Sequence, residues 1–187
     1  MRPAQETVYL CSLAADSALL QRSWLNRLAE FWAPRPKVPR RAFVHTELFF
    51  PSSVGQNGSM MSGVSARIVY GGKVQIGAKM FNRSSWHFDA LSVSPDKRAE
   101  MLQWLHKREG EPFDKLGFFG LWKSNKKHYC SRLVGRCLRE TGVMPALTNR
   151  DINHPERLAQ AVQAAAVRFA GTPRNLSSLD LMHANLV

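Results

Sequence analysis

The run Phe43-Val44-His45-Thr46-Glu47-Leu48-Phe49-Phe50 constrains this chain more than any other segment. Its aromatic and β-branched residues suit a pleated strand. Alternation places His45, Glu47 and Phe49 on one face, with Val44, Leu48 and Phe50 on the other. Much later comes His128-Tyr129-Cys130-Ser131-Arg132-Leu133-Val134-Gly135-Arg136-Cys137-Leu138, which reads as a helix opened by a cysteine. Partial positive charge at a helix N-terminus favours a thiolate, and a thiol needs a base to become one. The two segments are therefore candidate halves of a Cys–His nucleophile, with the histidine first in the chain.

A length of 187 residues fits one domain with a real core. Hydrophobic content of 44%, with five Trp and ten Phe, is that of a globular chain. No apolar run approaches the roughly 20 residues of a membrane-spanning helix, so an integral membrane protein is not expected. The polar start Met1–Thr7 and the short apolar stretch Val8–Ala15 do not make a signal peptide, and the expected location is intracellular. Three cysteines, Cys11, Cys130 and Cys137, close no disulfide framework and show no metal-binding spacing. Free thiols in a reducing compartment follow, with no metal or cofactor expected. Cys11 and Cys137, each set among apolar residues, read as core.

Charge restricts the partners. Lys and Arg total 26 against 14 Asp and Glu, a net +12, which attracts nucleic acid, anionic lipid or an acidic protein. The basic residues are dispersed through Arg35–Arg41, Lys97-Arg98, Lys107-Arg108 and Lys123–Lys127 rather than gathered in a tail.

Local patterns predict a strand over Val8–Leu13 and a helix from Asp16 or Ser17 to Trp32, stopped by Pro34-Arg35-Pro36. Ser- and Gly-rich Pro51–Gly63 reads as a loop or lid, and Ala66–Tyr70 with Lys73–Met80 as a hairpin about Gly71-Gly72. A strand over Trp86–Val93 precedes a helix from Ser94-Pro95 to His106 with Leu102 and Leu105 buried. The aromatic segment Phe113–Trp122 leads to the basic loop Lys123–His128. The helix after Cys130 runs to Gly142, and Pro155 opens a last helix with Leu158, Val162 and Ala166 inward. Residues 1–170 form one α+β domain on this reading, followed by a weakly patterned tail, 171–187.

Several of these pieces, in this order, resemble the circularly permuted papain-like thiol hydrolases and acyltransferases of the NlpC superfamily, relatives of lecithin:retinol acyltransferase. The matching residues are His45-Thr46-Glu47-Leu48, Ser59–Ser65, Trp86, Phe113–Gly117, Tyr129-Cys130-Ser131, and Pro155 with Leu158, spanning about residues 40–160. The resemblance implies a permuted papain-like fold, a small antiparallel sheet packed against helices with the nucleophilic Cys at a helix N-terminus. It implies Cys130 as nucleophile and His45 as general base and acid, acting on an amide or ester of a peptide, isopeptide or lipid. The proximity of the two groups is expected to lower the thiol pKa.

A third polar group is needed to orient the imidazole. Glu47 shares a face with His45, although same-face neighbours on one strand lie about 6.5 Å apart. Ser65 or Gln75 on a neighbouring strand is the alternative. His128, two residues before Cys130, competes as a local base. The alternative function is a catalytically silent papain-like scaffold, a basic binding or structural protein, virion-associated in one version, that uses its charge on a polyanion.

Overall fold

Five strands and three helices build an α+β arrangement in the computed structural model, which describes residues 4–17, 19, 30–31, 33–36, 41–52, 59–69, 71–115 and 128–170. The strands are β1 (Glu6–Ala14), β2 (Phe43–Pro51), β3 (Met60–Arg67), β4 (Gln75–Asn82) and β5 (His87–Val93). They make one antiparallel sheet in the order β4-β3-β2-β1-β5. The helices are α1 (Pro95–His106), α2 (Cys130–Glu140) and α3 (Pro155–Ala170), and a 3₁₀ turn, Asp151–Asn153, precedes α3. None of the described helices is long and apolar enough to cross a membrane.

Period-2 alternation sorts the sheet. Val8, Leu10, Leu48 and Phe50 join the main core with Leu133, Val134 and Leu138 of α2 and Leu158 and Val162 of α3. Cys11, Phe49, Met61 and Phe81 form a second cluster, with Tyr9, Trp86 and Phe88 packed against it. The β1–β2 register is irregular at one point: Leu13 faces His45 but Ala14 faces Phe43. Val44 is thus an extra residue in β2, and a bulge of this kind bends its strand immediately before His45.

One buried attachment fixes the head of β2, and a second bond steadies it. Glu156 of α3 is fully buried, and its Oε2 accepts the Phe43 N–H at 3.0 Å. The Gln160 side-chain amide donates to Glu156 Oε1 at 2.9 Å. A carboxylate that accepts such bonds holds the strand two residues before His45 to the helix layer.

The expected lid and hairpin are corrected. Met60–Arg67 is a strand, and its hairpin partner is Gln75–Asn82, so the strand begins well before Ala66. Small residues are required here rather than looseness: an added Cβ at Gly63 would stand 2.3 Å from the Phe50 carbonyl oxygen and 2.7 Å from the Phe49 ring. Helix α1 starts where read, with Ser94 Oγ accepting the Lys97 N–H at 3.2 Å, but Met101 rather than Leu102 is fully buried beside Leu105. Gly142 takes φ +73° just past α2, a left-handed stop suited to glycine. Leu158 and Val162 are buried as expected. The helix read over Asp16–Trp32 lies largely outside the described residues. So do the centre of the Pro51–Gly63 loop, the aromatic and basic stretch beyond Lys115, the side chain of Ala166 and the tail 171–187.

Helix α2 lies close to the 3₁₀ turn at Gly135. An added Cβ would come within 2.2 Å of Ile152 Cγ2 and 2.7 Å of its Cβ. Overpacking of this kind costs about 1–3 kcal/mol, so Gly135→Ala is expected to lower the melting temperature by several degrees. An unchanged thermal melt would show that the contact yields freely.

Candidate active site

Helix α2 opens at Cys130, the first helical residue, after an extended Tyr129 at the N-cap. The Tyr129 side chain makes no capping hydrogen bond, and the Tyr129 carbonyl accepts the Leu133 N–H at 2.9 Å. The first-turn amides therefore face the Cys130 end without a cap from the Tyr129 side chain. Tyr129 is anchored by its hydroxyl, which donates to Asn153 Oδ1 at 2.9 Å. Ser131 is anchored too, donating to the Ile152 carbonyl at 3.0 Å. These two bonds clamp the helix start onto the 3₁₀ turn and leave the cysteine between them to face the sheet.

The imidazole of His45 hydrogen-bonds Glu47, and the neighbouring Cys130 side chain acts on it as well. Its Nε2 lies 3.1 Å from Glu47 Oε1. Cys130 is only 5% exposed, and the His45 side chain 16%. The structure thus gathers Cys130, His45 and Glu47, while the two other candidates for the third position take different places. Ser65 is fully buried and donates to Glu47 Oε2 at 2.5 Å, supporting the carboxylate rather than the ring. Gln75 is exposed at the start of β4, opposite Arg67.

Lys79 belongs to this cluster, and no local pattern points to it. Its Nζ donates to Glu47 Oε1 at 2.6 Å and lies 4.5 Å from the Phe81 ring centroid and 4.6 Å from that of Trp86. Trp86 in turn meets the His45 ring edge-on, with centroids 6.0 Å apart. The ammonium is held by a carboxylate and two aromatic faces.

The charges of the cluster set its protonation. Burial disfavours a charged His45, but its hydrogen bonds with Cys130 and Glu47, and their negative charge, prevail and raise its pKa to about 9. Burial likewise opposes the Glu47 carboxylate, yet the hydrogen bond and charge of His45 and the charge of Lys79 lower its pKa to about 2. Glu47 therefore contributes stability that is complete above its ordinary value of 4.5 and lost as pH falls through about 2. His45 contributes stability that is complete below 6.5 and lost as pH rises through about 9. Melting temperature is expected to be highest between these inner limits, and His45→Phe to abolish the alkaline decline. A melting profile that stays level to pH 10 in the wild type would contradict this.

His128, the competing base, does other work. It is fully buried with Nε2 2.7 Å from Glu111 Oε2. Burial first, then the charges of Arg136, Arg108 and Arg132, push its pKa down to about 3, so it is a neutral structural group. Cys11 and Cys137 are fully buried, and burial pushes both thiols up. Among the described residues no cluster of His, Cys, Asp and Glu has the geometry to hold a metal ion. Comparison with protein-family models, curated proteins and solved structures gives no match.

Proposed function

We propose that the chain is a cysteine-dependent hydrolase or acyltransferase of permuted papain-like type, with Cys130 as nucleophile, His45 as acid and base, and Glu47 as the orienting carboxylate. One observation carries this reading: a single imidazole interacts at once with the cysteine that opens a helix and with a buried carboxylate. With Nε2 taken by Glu47, Nδ1 is the nitrogen left for sulfur. The order of His45 strand and Cys130 helix supports the permuted arrangement.

The Cys130 thiolate attacks the carbonyl carbon of an amide or ester, forming a C–S bond. Negative charge moves to the carbonyl oxygen, where the unspent N–H groups at the start of α2 receive it. As the tetrahedral species collapses, the C–N or C–O bond breaks and His45 gives its proton to the departing amine or alcohol. A water or acceptor nucleophile then enters, yields a proton to His45 and displaces the thiolate from the thioester. Glu47 fixes the ring and stabilises its charged form, and Ser65 and Lys79 hold Glu47 in place.

Incubation with an activated ester such as p-nitrophenyl acetate, followed by intact-protein mass measurement, tests the reading. A single acetyl group on Cys130 is expected, with none on Cys11 or Cys137. Acetylation that persists unchanged in Cys130→Ala would sink it.

A further inference from the structure

A concave feature lies on the far side of α2 from its buried face. Arg132, Arg136 and Arg139 follow one another at spacings of four and three, which aligns them in a single stripe. Two residues along a helix turn about 200°, so this stripe faces away from Cys130. Opposite it stands the segment Asn149–Asn153, drawn close because Ile152 seats against bare Gly135. Between these walls is a cleft of about 390 Å³, with Ile152 among its lining residues.

The lining is unusual in its charge. The side chains of Arg132 and Arg136 keep only 11% and 16% exposure, so water screens their mutual repulsion weakly. Asp114 takes Arg132 at 3.2 Å and Glu140 takes Arg136 at 2.7 Å. Glu140 is shared further, with the Trp104 indole N–H at 3.0 Å and Arg108 at 3.4 Å. Arg139 donates to a neutral acceptor, the Asn149 amide oxygen, at 2.9 Å. Among the described residues that line the cleft, Glu140 is the one carboxylate against three guanidiniums. The positive field reaches inward as well, where Arg136 and Arg132, with Arg108, add to the burial that keeps His128 neutral.

Both asparagines present donors. Asn149 Oδ1 accepts from Arg139 and Asn153 Oδ1 accepts from Tyr129, which leaves each amide NH₂ to give. Forked guanidiniums with amide donors match tetrahedral phosphate oxygens. The volume sits at the small end of ligand pockets, suited to a compact molecule and too confined for a duplex. We propose that this cleft binds the phosphate groups of a small phosphorylated molecule, at a site separate from the thiol and independent of its chemistry.

Calorimetric titration of the full chain with inorganic pyrophosphate tests this. One saturable site is expected. Asn149→Asp, which keeps the Arg139 contact and adds a carboxylate to the cleft, should weaken it by about tenfold or more. Arg136→Gln with Arg139→Gln should remove it. Lys73→Gln with Lys107→Gln, exposed elsewhere, should change it by less than about twofold, since solvated charges act weakly at a distance. Binding that never saturates, or that falls equally in the lysine pair, would mean diffuse attraction and overturn the site. Equal affinity in Asn149→Asp and the wild type would overturn it too. Cys130→Ala should bind as the wild type does; loss there would move the ligand to the thiol instead.

Discussion

His45→Ala is expected to slow acylation of Cys130 by an activated ester by about 10²–10⁴-fold, the span that a positioned acid–base group contributes. The sulfur stays where it is in this variant, on the first residue of α2 and 5% exposed. What disappears is the hydrogen-bonded ring that takes the proton from the thiol and returns it to the leaving group. Combining His45→Ala with Cys130→Ala should cost little beyond Cys130→Ala alone, because the two residues act as a unit. Stopped-flow release of p-nitrophenolate measures the effect. A His45→Ala burst rate within a few-fold of the wild type would mean that Cys130 reacts as an ordinary thiol.

Glu47→Ala is expected to be the most destabilising single change at the site. The carboxylate is 2% exposed and meets His45 at 3.1 Å, Lys79 at 2.6 Å and Ser65 at 2.5 Å. Its removal strands a protonated imidazole and an ammonium that are both mostly shielded from water. Breaking one side of a buried pair in this way costs about 3–5 kcal/mol. For a chain of this size that is a melting temperature lower by roughly 6–20 °C. Glu47→Gln preserves shape and a hydrogen-bonding partner for Ser65, so it should lose less stability while also bringing the His45 pKa back down. Thermal melts of both variants at pH 6 read the difference. Equal, small losses in the two would show that the carboxylate charge contributes little.

The site was legible where it is local. Alternation along β2 put His45 and Glu47 on one face, and their long side chains lean together to 3.1 Å across a Cα spacing about twice as large. The start of α2 was legible because Cys130 follows polar residues and precedes an amphipathic run. Lys79 was not, since it reads as a solvated strand residue. It reaches Glu47 only because β4 and β2 flank β3, a fact of sheet order that no short window contains. Ser65 reads from sequence as a candidate partner for the ring, but the β2–β3 register sets it opposite Phe49 and within reach of the carboxylate. Serine and glycine also made β3 look like a loop. Their small size instead lets β2 and its phenylalanines approach.

Proton titration of the His45 ring by NMR, in the wild type and in Cys130→Ala, tests the pairing of imidazole and sulfur most directly. The wild-type ring should hold its proton to about pH 9, and the variant should release it at lower pH, because the hydrogen bond and charge of Cys130 both favour the protonated ring. The same midpoint in both proteins would show that the ring does not feel the sulfur, and the nucleophile assigned here would be wrong.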